Sequence, residues 1–166
     1  GGLTQAEVAG MRAGLDRRAF CAGMLCEAGE WVYLRRVTHL LFVHTLEIAT
    51  EERWNLPRGP GQLQDLVHLA LLEATGPTVT CAVCLGSGGT AAPGDPTRKS
   101  CDLCEGSGRV PRTQRSRADL VDVSEQQWHR VWKHRYRAVF GELMNWISDA
   151  RSHLARQLRA RRQVRA

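Results

Sequence analysis

The middle of this chain carries two copies of one eight-residue pattern, Cys81-Ala-Val-Cys84-Leu-Gly-Ser-Gly88 and Cys101-Asp-Leu-Cys104-Glu-Gly-Ser-Gly108. Sixteen residues separate Cys84 from Cys101, which gives the overall spacing C-x2-C-x16-C-x2-C. Zinc prefers a tetrahedral set of thiolates, and each CxxC turn can place two sulfurs on one side of the metal. The sequence therefore predicts one structural Zn2+ ion bound by all four cysteines.

The glycines and the closed ligand set decide what kind of metal site to expect. Glycine adopts positive φ angles without steric cost, so each GxG pair allows the chain to reverse tightly beside the sulfurs. Four cysteines fill a tetrahedral shell and leave no position for a catalytic water, and the sequence contains no His-x-Glu. We therefore expect a structural site in a protein that is not an enzyme. An iron–sulfur cluster is the remaining alternative for the metal.

Helical periodicity surrounds the cysteine-rich stretch on both sides. Residues 31–54 are apolar around so much of their circumference that we expect them to form the central helix of a bundle. Thr4 and Glu7 fit a capping box at the start of the first helix, and Gly76-Pro77 ends the third. The predicted fold is mostly α: a helical bundle with an inserted four-cysteine zinc knuckle or ribbon and a helix-turn-helix.

Composition divides the chain into three regions. We predict an N-terminal helical region at 1–77, the zinc-binding module at 78–108, and a helix-turn-helix with a long basic C-terminal helix at 109–166. Residues 67–150 are expected to form one compact unit into which the zinc module is inserted. The sequence shows no apolar run of about 18 residues and no signal peptide, so no membrane association is expected.

Charge is distributed unevenly along the chain. Residues 1–108 hold nine Lys and Arg against twelve Asp and Glu, a net charge of −3, whereas residues 109–166 hold fourteen against five, a net charge of +9. Such asymmetry is the expected footprint of a polyanion partner, most simply nucleic acid. The alternative is a solvated helix in an arginine-rich chain, since arginine outnumbers lysine 21 to 2.

The stretch from Gln114 to Lys133 fits much of the helix-turn-helix pattern. Ala118 is the small residue of the first helix, Val121 and Val123 flank the turn around Asp122, and Ser124 caps the second helix. Trp128 and Val131 are predicted to be the buried pair of that second helix. Two departures weaken the match, because Asp122 stands where glycine is commoner and Arg117 where an apolar side chain is preferred.

Polar and basic residues occupy the predicted outer face of the second helix. Gln can bind adenine edges and Arg can bind guanine edges in the major groove, while arginines before the turn suit phosphate contacts. The predicted base-reading residues are Gln126, Gln127, His129, Arg130, Lys133, His134 and Arg137, and the predicted phosphate contacts are Arg109, Arg112, Arg115 and Arg117. The alternative is an amphipathic bundle helix whose outer face is merely basic.

The order of these features resembles the late-gene antitermination protein Q family of lambdoid phages, in its lambda-type branch. The resemblance runs from about Leu63 to Ala150, with an apolar helix, CxxCxGxG, an insertion and a second CxxCxGxG. A basic linker and a capped, Trp-bearing helix opening at Asp122-Val-Ser-Glu-Gln-Gln-Trp128 follow. The knuckles alone are less specific, because the zinc domain of DnaJ-type chaperones has the same repeat.

The resemblance implies a partner set and a mechanism. Proteins of this family bind double-stranded DNA that overlaps a phage late promoter and engage the bacterial RNA polymerase holoenzyme, both sigma and core. They then make the polymerase read through terminators. It follows that this chain would act in the host bacterial cytoplasm, with no small-molecule substrate and no membrane partner. The four cysteines would hold zinc, and the face from Gln126 to Arg137 would read DNA.

Two alternatives remain open at this stage. A DNA-binding repressor or activator that never joins polymerase fits the same residues. A DnaJ-like protein-interaction module is disfavoured, because the chain has two knuckles instead of four and lacks a His-Pro-Asp tripeptide. In the favoured interpretation the zinc has a positional role, and its removal is expected to disorder residues 109–124.

Overall fold

A computed structural model describes residues 14–90 and 99–164, and over these residues the fold is mostly helical, as predicted. The predicted capping box at Thr4 and Glu7 lies outside the described residues. The α-helices are α1 (Arg17–Cys26), α2 (Leu34–Glu51), α3 (Gly61–Thr75), α4 (Gln114–Leu120), α5 (Glu125–Gln127) and α6 (Lys133–Val164). A 3-10 turn, Trp31–Tyr33, leads into α2, and a π-helical segment, Trp128–Trp132, joins α5 to α6.

Four short strands form two antiparallel ribbons around the cysteines. The outer ribbon pairs β1 (Thr78–Thr80) with β4 (Arg109–Pro111), and the inner ribbon pairs β2 (Gly89–Thr90) with β3 (Lys99–Ser100). In the outer ribbon Val79 lies opposite Val110. The cysteine module is therefore a loop excursion that leaves α3 and returns to α4 through neighbouring strands.

The described helices share one hydrophobic core. Helix α6 packs against α1, α2 and α3, and buried residues from Ala19 to Ile147 form a single cluster. The four cysteines form a second, separate cluster, against which Val110 packs. Helices from both sides of the cysteine module thus bury their apolar surface together, so the helical core does not depend on the module for its apolar contacts.

The prediction of a helix over residues 31–54 is confirmed for Leu34–Glu51, but the prediction that this helix is the central one of a bundle is wrong. Only Val37, Leu41, Thr45 and Ala49 of α2 are buried, and they form a single stripe at a spacing of four residues. Val43 and Leu46 lie off this stripe and are exposed. Helix α3 is buried around more of its circumference, because α2 and α6 pack on different sides of it.

Local hydrogen bonds hold the turn between α4 and α5. Thr113 caps α4 by accepting from the Ser116 amide at 3.1 Å. The predicted capping box at Ser124 is confirmed: its hydroxyl accepts from the Gln127 amide at 3.2 Å, and the Gln127 side chain accepts from the Ser124 amide at 3.0 Å. These caps satisfy amides that each helix start would otherwise leave without partners.

Asp122 takes the position in this turn where glycine is commoner. Its φ is +52°, in the left-handed region, which aspartate tolerates better than most residues. The guanidinium of Arg58 pairs with the Asp122 carboxylate and donates to the Val121 carbonyl at 2.7 Å. The loop before α3 therefore stabilises the turn, and the departure from glycine has a structural explanation.

The predicted buried pair of Trp128 and Val131 is half right. Trp128 is fully buried, but 42% of Val131 is exposed, and Trp132 occupies the buried position instead. In the π-helical segment the hydrogen bonds run from residue i to i+5, so residues on one face lie further apart in sequence than in an α-helix. The spacing of four residues from Trp128 to Trp132 places both indoles in the core.

No helix in the described part of the chain is both long enough and apolar enough to cross a membrane. Helix α6 is the longest at 32 residues, but it carries basic residues along most of its length. Its first half is packed in the core as far as Ile147, and its second half exposes Leu154 and Leu158.

Candidate metal centre and basic helical face

The four predicted ligands, Cys81, Cys84, Cys101 and Cys104, come together in the structure. Their sulfurs all lie within 4.8 Å of one another, and all four residues are buried. Sγ of Cys81 lies 3.9 Å from Sγ of Cys101, and Sγ of Cys84 lies 3.6 Å from Sγ of Cys104. None of them forms a disulfide.

These distances fit a tetrahedral metal. Four sulfurs at about 2.3 Å from a zinc ion lie about 3.8 Å from one another, which agrees with the two shortest separations. Thiolates are soft ligands that select Zn2+, Cu+ or iron–sulfur clusters rather than Mg2+ or Ca2+. The site can therefore hold one metal ion, which would cross-link the two knuckles, and the closed set of sulfurs leaves no position for a substrate.

The two knuckles are related by an approximate two-fold symmetry. Leu85 and Glu105 have φ angles of 49° and 50°, and each is followed by glycines at positive φ, Gly86 and Gly88 in one knuckle and Gly106 and Gly108 in the other. The amide of Cys81 donates to the Gly108 carbonyl at 2.9 Å, and the amide of Cys101 donates to the Gly88 carbonyl at 3.0 Å. The repeat in the sequence thus becomes a repeat in backbone conformation.

Backbone amides point at the sulfurs, as the glycine pattern predicts. The Gly108 amide donates to Sγ of Cys104 at 3.2 Å. Burial raises the pKa of the Cys84 thiol, but the amide of Gly88, the neighbouring thiols and the amide of Gly86 outweigh it and lower the pKa to about 6. Metals bind the thiolate and not the thiol, so the amides at Cys84 favour the binding form, whereas burial raises the pKa of the Cys101 thiol to about 11.

Gly108→Ala is expected to weaken metal binding. Gly108 has φ +74°, and an added Cβ would lie 2.3 Å from the carbonyl oxygen of Gly86. The left-handed backbone alone costs an L-residue about 1–2 kcal/mol, and the close approach adds to that cost. Chelator competition should report at least about tenfold weaker binding. Gly61→Ala is the matched control, because nothing lies within 4 Å of its added Cβ, and equal affinities of the two variants would contradict the geometry.

A buried charge network connects the core to α4, the helix that follows the module. Glu73 of α3 is 7% exposed and accepts from Arg117 of α4 at 2.7 Å and 3.1 Å. The hydroxyl of Tyr136 in α6 donates to the same carboxylate at 2.6 Å. Burial, together with the hydrogen bond to Glu73, raises the pKa of Tyr136, so the phenol stays protonated and keeps donating. Three helices are therefore fixed at one carboxylate.

The four arginines predicted to contact phosphates are placed differently from one another. Arg117 is committed to Glu73, and Arg109 donates to the hydroxyl and the carbonyl of Thr78 at 2.8 Å and 2.9 Å. Arg112 is half-buried, and its buried Nε has no hydrogen-bond partner in the described part of the chain. Arg115 is exposed. The structure thus leaves Arg115 open to a ligand and explains Arg109 and Arg117 as structural residues.

The residues predicted to read bases share one solvent-facing side of the helical run 125–137. The residues between them, Trp128, Trp132, Arg135 and Tyr136, are buried and face the core. Gln127 uses its side-chain oxygen in the capping box, and His129 lies 4.0 Å from Glu125. The side chains that the structure places on the outer side are Gln126, Gln127, His129, Arg130, Lys133, His134 and Arg137.

Two further arginines position this helical run and were missed by the sequence analysis. Arg135 is 8% exposed, lies over the rings of Trp54 and Trp132 at 5.1 Å and 4.7 Å, and donates to the Asn55 carbonyl at 3.0 Å. Burial lowers its pKa from the usual range of arginine. Arg58 holds the turn, as described above. Arg135 lies in basic sequence context and Arg58 in a loop rich in Pro and Gly, and no sequence signal separates either of them from the exposed arginines.

No protein-family model matches the chain, and neither a curated protein nor a solved structure matches it. The likeness to antitermination protein Q therefore rests on the sequence features alone. The cysteine cluster and the outer side of the helical run 125–137 are the two features from which a function can be inferred.

Proposed function

We propose that this protein binds double-stranded DNA with the outer side of the helical run 125–137 and regulates transcription. The observation that carries the proposal is a division among the basic residues. Arg58, Arg109, Arg117, Arg135 and Arg151 are each used in contacts within the protein. By contrast, Arg115, Arg130, Lys133 and Arg137 make no hydrogen bond or ion pair with any described residue.

Unpaired cations on one side of a helix suit a polyanion. The acidic residues of this part of the chain do not neutralise them: Asp122 is paired with Arg58, and Glu125 lies beside His129. Each cation placed against a phosphate releases condensed counterions, which is the main source of sequence-independent affinity for DNA. On the side that would enter the groove, Arg130, Lys133 and Arg137 therefore have no internal partner among the described residues.

The arrangement of α4 and the helical run supports a helix-turn-helix interpretation. Gln114 at the start of α4 accepts from the indole nitrogen of Trp128 at 2.6 Å, which fixes the two helices together beside the capped start of α5. In such motifs the N-terminal residues of the second helix contact base edges. Gln126 and Arg130 occupy that position here, and π-helical segments like 128–132 are frequent at functional sites.

For the metal we propose zinc in a structural role. Four thiolates in a tetrahedral arrangement, next to amides that favour the ionised sulfur, are the usual environment of structural Zn2+. Metal analysis of the purified protein should find one zinc per chain and no visible charge-transfer absorption. One equivalent or more of iron, with such absorption, would support the iron–sulfur alternative instead.

The specific role we propose is phage or prophage transcription antitermination in the bacterial cytoplasm. It is supported by the order of knuckles, basic linker and capped Trp-bearing helix, which resembles the lambda-type Q family. A protein partner such as RNA polymerase is also favoured by exposed apolar side chains at the knuckle tips, Val83, Leu85 and Leu103.

Transcription in vitro through a terminator tests the role directly. Readthrough that rises with added protein, and only on templates that carry a DNA element bound by the protein, is the expected result. DNA binding that changes initiation without readthrough would favour the repressor or activator alternative. Suppression of aggregation without salt-dependent DNA binding would favour the DnaJ-like alternative.

Arg130→Ala is expected to weaken binding to a duplex selected from a random pool by about 1–3 kcal/mol, with relaxed specificity at the base it contacts. The side chain is exposed and has no internal partner among the described residues, so the fold should be unaffected. Arg53→Ala is a suitable control, because Arg53 is an exposed cation in the loop after α2, outside the helical run 125–137. Equal affinity of wild type and Arg130→Ala in a gel-shift titration would count against DNA binding by the outer side of the helical run 125–137.

A further inference from the structure

A second candidate binding site lies between α2 and α3, outside the helical run 125–137. It is a groove of about 510 Å³. Phe42 and Val67 supply apolar surface, and Gln64, His39 and His68 supply polar edges. Nothing in the proposed duplex-binding surface uses these residues. A groove with this mixture of apolar and amide groups has the chemistry that accepts a planar, polar-edged ring.

A cation-lined groove adjoins the first. It has a volume of about 310 Å³, shares Arg35 and His39 with the first groove, and is also lined by Arg17 and Arg36. Within the described ranges, Arg35, His39 and His68 have no hydrogen bond or ion pair with another residue. Arg17 and Arg36 each interact with another group of the protein, so among the described residues Arg35 is the arginine of this groove that is open to an anion, and its planar guanidinium matches the geometry of a phosphate.

An exposed tryptophan stands four residues before Arg35. Trp31 lies in the 3-10 turn that leads into α2, and 62% of it is exposed. Arg35 lines both grooves and follows Trp31 by about one helical turn, so the chain carries an exposed aromatic ring just before a groove residue. Large exposed aromatic rings beside cationic grooves are the stacking platforms of single-strand-binding proteins.

We propose that this surface binds a segment of single-stranded nucleic acid. One base enters the groove lined by Phe42 and Gln64, the adjacent phosphate lies against Arg35, and Trp31 stacks on a neighbouring base. A single strand fits better than a duplex, because unpaired bases can turn outward, whereas those of a duplex are stacked inside it. Arg35 and His39 line both grooves, so a base in the first groove and its phosphate in the second would meet at these two residues.

This inference goes beyond the proposed function and does not require it. The residues lie on α2 and α3, and the duplex-binding residues lie on the helical run 125–137. A protein that joins a transcription complex would meet both duplex DNA and single strands, but either surface can fail without the other. The two can therefore be separated by reciprocal variants.

The test is fluorescence anisotropy with a labelled oligouridylate, a labelled oligothymidylate and a labelled duplex of random sequence, using the full chain with its metal. Arg35→Ala and Trp31→Ala should each weaken binding of single strands about tenfold, the effect of losing one phosphate clamp or one stacked base, and leave duplex binding unchanged. Trp31→Phe keeps a stacking ring and should recover part of the loss. Arg130→Ala should show the opposite pattern, with weaker duplex binding only.

Several results would overturn the proposal. Single-strand affinities of Trp31→Ala and Arg35→Ala equal to wild type would do so, provided that circular dichroism shows both variants folded. Loss of single-strand binding in Arg130→Ala alone would show that single strands bind the outer side of the helical run 125–137 instead. Binding of inorganic phosphate at Arg35, without any binding of oligonucleotide, would show that the groove binds anions and not single strands. By contrast, a larger loss of oligouridylate binding than of oligothymidylate binding in Arg35→Ala and Trp31→Ala would support the proposal and identify RNA as the preferred strand.

Discussion

Cys101→Ser is expected to abolish stable metal binding and to unfold the cysteine module while the helical core stays folded. Cys101 is 1% exposed, and its sulfur is one of the four that could hold a metal ion. Structural zinc contributes about 10 kcal/mol or more to the folding of small Cys-rich modules, and a short excursion such as 78–111 has few apolar side chains to replace it. The cysteine cluster and the helical cluster are separate, so the loss should remain local.

Hydrogen exchange with mass spectrometry, before and after metal removal by a chelator, measures this result. Amides of β1 and β4 should lose protection, whereas those of α3 and of 133–147 should keep it. From the sequence we expect metal removal to disorder residues 109–124. With the structure we expect disorder only before α4, because Arg117 and Ala118 hold α4 to the core independently of the cysteines. Loss of protection throughout the helices would show that the core does depend on the metal.

Glu73→Ala is expected to destabilise the helical core by about 3 kcal/mol. The change leaves Arg117 without its partner and removes the acceptor of the Tyr136 hydroxyl. Breaking a buried pair costs about 3–5 kcal/mol, and the lower end applies because 20% of the Arg117 side chain is exposed. Urea unfolding followed by circular dichroism measures the free energy of unfolding.

Two further variants make the result specific to the network. Glu47→Ala removes an exposed carboxylate near His44 and should change the free energy of unfolding by no more than about 0.5 kcal/mol. The triple variant Glu73→Leu with Arg117→Met and Tyr136→Phe removes both charges and the hydroxyl and should recover much of the loss, because no charge or donor is then left unpaired. A Glu73→Ala variant as stable as Glu47→Ala would show that the network contributes little.

The metal centre was the most predictable part of the molecule. A CxxCxGxG repeat fixes the four cysteines by their covalent spacing. Glycine is almost obligatory at Gly88 and Gly108, because a Cβ added at either residue would lie 2.3 Å from a carbonyl oxygen of the other knuckle. The Ser124 capping box was equally local, since all its atoms belong to residues 124–127. Short-range geometry of this kind can be read from a pattern of residue types.

The partners of the arginines could not be predicted in the same way. Arg109, Arg115 and Arg117 lie within nine residues of one another, yet Thr78 binds the first, Glu73 binds the third, and the second has no described partner. Those partners lie 31 and 44 residues away in sequence. The burial of Trp132 in place of Val131 could not be predicted either, because a π-helical segment changes the residue spacing without a marker in the sequence.

The salt dependence of duplex binding tests the proposed surface most directly, because it needs no knowledge of the recognised sequence. In a plot of log binding constant against log salt concentration, each phosphate contact contributes about 0.9 to the negative slope. If Arg130, Lys133 and Arg137 neutralise phosphates, replacing all three with alanine should reduce the slope by about 2–3, while Arg53→Ala leaves it unchanged. A triple variant with the slope and affinity of wild type would show that DNA does not bind this side of the helical run 125–137.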